Sequence, residues 1–164
     1  MTNDDTYNAQ AHEQPLQPNP ALKSLDVMVG TWDLKGRESG TDGEIHGQVT
    51  FEWMEGGFYL VQSVNIAYAG RRITGTEYIG YDESSEALKS YFFSNEGPGP
   101  FGGVALEYVW KVGDDALTIW AGFVGSPANY KGKFSDDHNT ITGRWSWPGG
   151  RYEATMTRPR VNRS

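Results

Sequence analysis

Between Thr31 and Arg158 apolar and polar residues alternate in short runs, which is the signature of strands with one wet and one dry face. Trp32 and Leu34 alternate with Asp33 and Lys35. Ile45, Val49, Phe51 and Trp53 share one parity against His46, Gln48, Thr50 and Glu52. Phe58, Leu60, Val64, Ile66 and Tyr68 form the next face, and Ile73 agrees with Ile79 in 71–80. Further runs lie at 87–94, then at Val104, Leu106, Tyr108 and Trp110, then at 116–123, 128–134, 140–147 and 151–158. Turn residues separate them: Glu55-Gly56-Gly57, Ala69-Gly70, Asp82 to Ser85, Gly97-Pro98-Gly99-Pro100, Gly113-Asp114-Asp115, Gly125-Ser126-Pro127, Ser135 to Asn139 and Pro148-Gly149-Gly150.

Ten strands at about ten-residue spacing, with no helix-length insert between them, imply antiparallel hairpins throughout. Closing such a meander removes its exposed edges, so an all-β, up-and-down, ten-stranded antiparallel barrel is the economical fold. A two-sheet sandwich is the alternative. The period is helical only once. Asn19-Pro20 supplies an N-cap and a first-turn proline, Leu22, Leu25, Met28 and Val29 follow at helical spacing, and Gly30 stands at the expected C-cap. This predicts one short amphipathic helix over 20–29 that plugs the barrel. Residues 1–18 are too polar to form a core and read as a disordered leader, 19–158 as the single β-barrel domain, and 159–164 as a tail. Arg158, Arg160 and Arg163 read as a solvated basic end.

Composition narrows the function classes. Of 164 residues, 37% are apolar, yet 13% are aromatic and 21 are glycine, a balance that suits strands and tight turns. Zero cysteines remove disulfides, thiolate nucleophiles and Cys-ligated metal centres. A formal charge of −7 argues against binding a nucleic-acid backbone. No apolar run reaches the roughly 18 residues of a membrane-spanning helix, and no basic-then-apolar signal opens the chain, so the expectation is a cytoplasmic protein.

The run Leu22-Lys23-Ser24-Leu25-Asp26-Val27-Met28-Val29-Gly30-Thr31-Trp32 is a short helix passing directly into Gly-Thr-Trp at the first strand. It resembles the start of nitrobindin-type lipocalin-like barrels, and more closely that of a large bacterial family of similar barrels with no assigned function. Glu55-Gly56-Gly57-Phe58, Gly80-Tyr81-Asp82 and Ile141-Thr142-Gly143-Arg144-Trp145 extend the second resemblance, which spans about 20–158. The resemblance implies a ten-stranded barrel with a central cavity for a small apolar ligand. Nitrobindin-like members hold haem through a His on a late strand. Neither 140–147 nor 151–158 contains one, so haem is not carried over and no cofactor is expected.

Individual motifs carry little chemistry. His12, His46 and His138 have no metal-ligand spacing, and Asp136-Asp137-His138 reads as a turn. Gly97 to Gly102 fits G-x-G-x-x-G, but it precedes a β-patterned run and contains two prolines that cannot donate to phosphate. Arg144 falls on the outward parity. Parity itself is more informative, because the apolar half of each strand marks the barrel interior. It places two polar residues inside: Gln62, between Leu60 and Val64, and Glu77, between Ile73 and Ile79. Tyr68, Tyr108, Tyr130 and Tyr152 join them, beside Trp53, Trp110, Trp145 and Trp147. An inward carboxyl in apolar surroundings has a raised pKa, as a general acid or base near neutrality requires. A single bulge in 71–80 would instead turn Glu77 outward, toward Arg71, Arg72 or Lys89.

The leading reading is a module that binds a small apolar or aromatic molecule through Gln62, Tyr108, Tyr130, Trp53 and Trp145. The alternative is a cofactor-independent isomerase, cyclase or lyase with Glu77 as acid/base and Tyr108 or Tyr130 stabilising developing charge. A third reading has a packed interior and an outer face that mediates a homodimer or another partner.

Overall fold

The structure, a computed structural model, describes residues 16–99 and 102–159. Ten strands follow one helix: β1 Gly30–Glu38, β2 Glu44–Trp53, β3 Leu60–Tyr68, β4 Arg71–Asp82, β5 Ala87–Ser94, β6 Leu106–Val112, β7 Ala116–Ala121, β8 Asn129–Phe134, β9 Thr140–Trp147 and β10 Gly150–Thr157. Each pairs antiparallel with the next, and β1 pairs with β10 from Asp33↔Thr157 to Glu38↔Tyr152, which closes the barrel. The closed form, and not the sandwich, is therefore the fold. Ala69 and Gly70, with φ of 50° and 83°, make the two-residue turn between β3 and β4, a geometry whose twist matches the flanking strands.

The helix departs from the α form expected over 20–29. It is a 3₁₀ helix, Pro20–Met28, ended by Val29, and Gly30 opens β1 with a φ of 126°. The spacing explains the difference. Leu22, Leu25 and Met28 recur every third residue, and a 3₁₀ helix with three residues per turn puts all three on one side. All three are buried, whereas Val29, the residue an α-helical face would have recruited, is exposed. At the front, Asn19 accepts from the Ala21 N–H at 2.9 Å, as an N-cap should.

The helix stops one end of the barrel. Asn19 reaches Glu83 in the β4–β5 turn, and Trp32, fully buried at the start of β1, donates to the Met28 carbonyl at 2.8 Å. Arg158 does not belong to a solvated tail. Its guanidinium donates to the carbonyls of Val27, Val29 and His138 and to the Asn139 side chain at 2.8–3.0 Å, and lies 4.5 Å from the Trp32 ring centroid. It ties the helix end, the β8–β9 turn and the last strand together. Val104 also departs from expectation, standing 88% exposed in the loop before β6. His12, Pro100, Phe101, Arg160 and Arg163, with most of the leader and tail, lie outside the described residues.

The core follows the apolar parity of the strands. Trp32, Val49, Phe51, Leu60, Ile79, Leu117, Ile119 and Ile141 join the helix residues in one cluster. Outward positions are mostly polar, with Tyr78, Tyr91 and Phe93 of β4 and β5 as exposed aromatic exceptions, and on the outer face Arg144 pairs with Glu153 at 3.0 Å.

Candidate functional site

A cavity of about 390 Å³ occupies the barrel interior, within the range of small-molecule pockets. Met28 from the helix lines it, and so do aromatic rings from seven strands, Phe51 of β2 through Tyr152 of β10. Tyr68 and Trp147, the last residues of β3 and β9, stand at the end opposite the helix. Each packs edge-on against Tyr152, with ring centroids 5.5 and 5.9 Å apart.

Glu77 points into this cavity. The β3–β4 register runs without interruption from Leu60↔Ile79 to Tyr68↔Arg71, so no bulge turns it outward. The surface cations that an outward Glu77 would meet are engaged elsewhere: Arg71 with Glu96 and Lys89 with Asp82, both at 3.1 Å. Across the sheet Glu77 is flanked by Gln62 on β3 and Phe92 on β5, and Phe51 on β2 continues the same row. Glu77 is only 7% exposed. The Trp110 indole N–H is shared between its carboxylate Oε2, at 3.2 Å, and the Ser90 hydroxyl, at 2.9 Å. Burial pushes the Glu77 carboxyl up to about 7, although hydrogen bonds from Ser90 and Trp110 pull the other way. Desolvation therefore outweighs two donors, and the group sits at its titration midpoint near neutral pH.

Tyr130 is the second polar feature. Its hydroxyl is buried with no hydrogen-bond partner among the described residues. The ring lies against the wall over Gly132 and Gly143, where a Cβ at either position would overlap the phenol. Tyr130 and Tyr108 both pack on Trp145, with centroids 5.6 and 5.7 Å away. Burial raises the pKa of both phenols, and Glu77 adds to the rise at Tyr108, so both remain protonated donors. Gly36, Ala154, Gly143 and Gly132 sit side by side on β1, β10, β9 and β8, and the space at Gly143 and Gly132 is taken by the Tyr130 phenol.

Glu77, Gln62, Tyr108, Tyr130 and Trp145 thus line one cavity. Trp53 does not. It has the inward parity, but β2 ends there, and its indole turns to Asp26 on the helix at 2.9 Å, beside a surface recess with Leu22 and Gly57. Parity holds along a strand and lapses where the strand gives way to a turn, which is why Trp53 is misplaced by it. Ser90, Phe92 and Met28 were not anticipated as site residues. For the first two a signal existed, since Leu88, Ser90 and Phe92 alternate along β5. The Asp136-Asp137-His138 stretch is a turn, with His138 at a φ of 59° and Asp137 accepting from the Ser135 hydroxyl and the Asn139 N–H. His46 is exposed on the outer face of β2. No helix of the described residues is long and apolar enough to cross a membrane, and among them no group of three acidic or histidine side chains is placed to hold a metal ion.

A closed ten-stranded antiparallel barrel, stoppered by a 3₁₀ helix and enclosing an aromatic cavity, is the class of protein these elements define. The chain belongs to the family described as "Protein of unknown function (DUF1579)", whose profile matches residues 17–99, from the helix through β5. That agrees with the resemblance to barrels of unassigned function; nothing found supports the nitrobindin-type likeness. No curated protein matches the chain.

Proposed function

We propose that this barrel is a binding module for a small, mostly apolar, aromatic molecule, used in the manner of a lipocalin. The observation that carries this reading is the 390 Å³ cavity itself, enclosed by the barrel and lined mainly by aromatic and aliphatic side chains with few polar groups. Trp145 and Tyr108 supply flat apolar contact, and Gln62 and Glu77 supply orientation. Few polar groups within a large apolar lining is the usual make-up of a ligand pocket.

Native mass spectrometry of freshly purified protein tests the reading, together with tryptophan quenching by the neutral dye Nile red. A mass increment that survives gentle ionisation, or saturable quenching, is the expected result. An unliganded mass combined with no quenching would defeat it, because six tryptophans, three of them on the cavity wall, cannot all miss an occupant.

One observation favours a second reading. A carboxyl that titrates near 7 inside a closed pocket suits a general acid or base, and Tyr108 and Tyr130 are protonated donors able to stabilise developing negative charge. An isomerase, cyclase or lyase reaction found by substrate screening, with a rate that follows a pKa near 7 and is lost in Glu77→Gln, would establish it.

A further inference from the structure

The charge inside the barrel is one-sided. Among the described residues that line the cavity there is one carboxyl, Glu77, and no Lys, Arg or His. Around it stand aromatic rings: Phe92 on the neighbouring β5, Tyr108 and Trp110 on β6, Phe51 on β2 and Trp145 on β9. Aromatic faces carry negative quadrupole potential and attract cations, most strongly where water is excluded. The mostly apolar ligand proposed above uses the rings and asks of the carboxyl only that it orient the guest, not that it meet a charge. An anionic ligand, such as a fatty acid, would place two like charges in one low-dielectric space. From the aromatic walls, the lone inward carboxyl and the absence of any basic lining residue, we infer that the cavity takes an organic cation, an amine or quaternary ammonium on an apolar or aromatic body, with Glu77 as its counter-ion. The inference rests on the binding reading and specifies the ligand's chemical class.

The surroundings of Glu77 support that role. Gln62 faces it from β3, Ser90 and Phe92 from β5, and Tyr108 and Trp110 from β6. The helix contributes the apolar Leu22, Leu25 and Met28 to the buried side. Tyr108 is the only titratable group in that set, and it keeps its proton through the neutral range. Trp110 and Ser90 donate to the carboxylate and so favour its charged form once a cation arrives. A bound cation lowers the pKa of Glu77, so binding releases a proton below pH 7 and none well above it. A net charge of −7 further concentrates cations around the molecule.

The test uses three probes of matched shape on the intact protein, followed by tryptophan fluorescence from pH 5.5 to 8.5: benzyltrimethylammonium, its neutral carbon isostere neopentylbenzene, and phenylacetate. The quaternary ammonium has no proton to lose, so any pH dependence belongs to the protein. With a carboxyl near 7, its affinity should rise about thirtyfold across that range, in step with the ionised fraction of Glu77. Neopentylbenzene should bind more weakly at pH 8.5 and show no pH dependence, and phenylacetate should not bind. Glu77→Gln should remove the pH dependence and bring the ammonium down to the level of the neutral isostere. The wild-type profile against the neutral probe stands by itself if that variant fails to fold. Neopentylbenzene binding as tightly as the ammonium at pH 8.5, or a flat ammonium profile in the wild type, overturns the charge assignment while leaving a binding cavity. Silence from all three probes overturns the inference together with the binding reading beneath it.

Discussion

A carboxyl that folding carries from water to an apolar wall holds its proton more tightly, and Glu77 shows what this costs. Its pKa rises from 4.5 to about 7, so between those values the folded state binds more protons than the unfolded one. Stability from this group is therefore highest below about pH 4.5, falls as pH rises toward 7, and is level above that. The fall is on the order of 3 kcal/mol, from two and a half pKa units at about 1.4 kcal/mol each. Glu77→Gln keeps the shape and lacks the charge, so its stability relative to wild type should improve by that order between pH 4.5 and 8. Urea denaturation of both proteins at the two pH values measures it, and parallel pH curves would show that Glu77 does not carry the effect. At this scale the sequence was legible where side chains simply alternate: strand parity alone puts Gln62, Glu77, Tyr108, Tyr130 and Trp145 inside. It was illegible where a side chain answers to a partner far along the chain. Nothing near Trp53 announces Asp26, and nothing near Arg158 announces the Val27 and Val29 carbonyls.

Among the elements, the helix is the one whose stability comes from outside itself. Nine residues are too few for a helix to stand alone, and the 3₁₀ form has poorer hydrogen-bond geometry than the α form. What fixes it is a buried row of three side chains on the barrel and a clasp at its end from Arg158. Lysine keeps the charge of Arg158 but not its planar fork or its stacking on Trp32. Arg158→Lys should cost about 1–3 kcal/mol through carbonyls left without donors, seen as a melting point lower by several degrees. An unchanged melting point would mean that the apolar row alone seats the helix. The 20–29 segment also shows what pattern reading can and cannot resolve. Spacings of three and four both look helical, and only burial reveals that threefold spacing was the one in use.

Over the whole molecule, strand number and hairpin order were legible from the turn residues, whereas closure followed only from the cost of exposed edges. A meander and a sandwich share the same local pattern, and what separates them is the pairing of Asp33 with Thr157, the full length of the barrel apart in sequence. That pairing must wait for a long loop to close, whereas the other nine pairings join consecutive strands. Refolding should accordingly take milliseconds to seconds, as in other barrels of high contact order, when followed by stopped-flow tryptophan fluorescence. Completion within microseconds would indicate that the barrel assembles from independent hairpins without needing its seam.

The seam adjoins the row formed by Gly36, Ala154, Gly143 and Gly132. Two of its missing methyl groups, at Gly143 and Gly132, make room for the Tyr130 phenol against the wall. Side chains at those positions would drive the ring toward the lumen, so the width of the chamber is governed from β8 and β9, strands other than the one that carries Glu77.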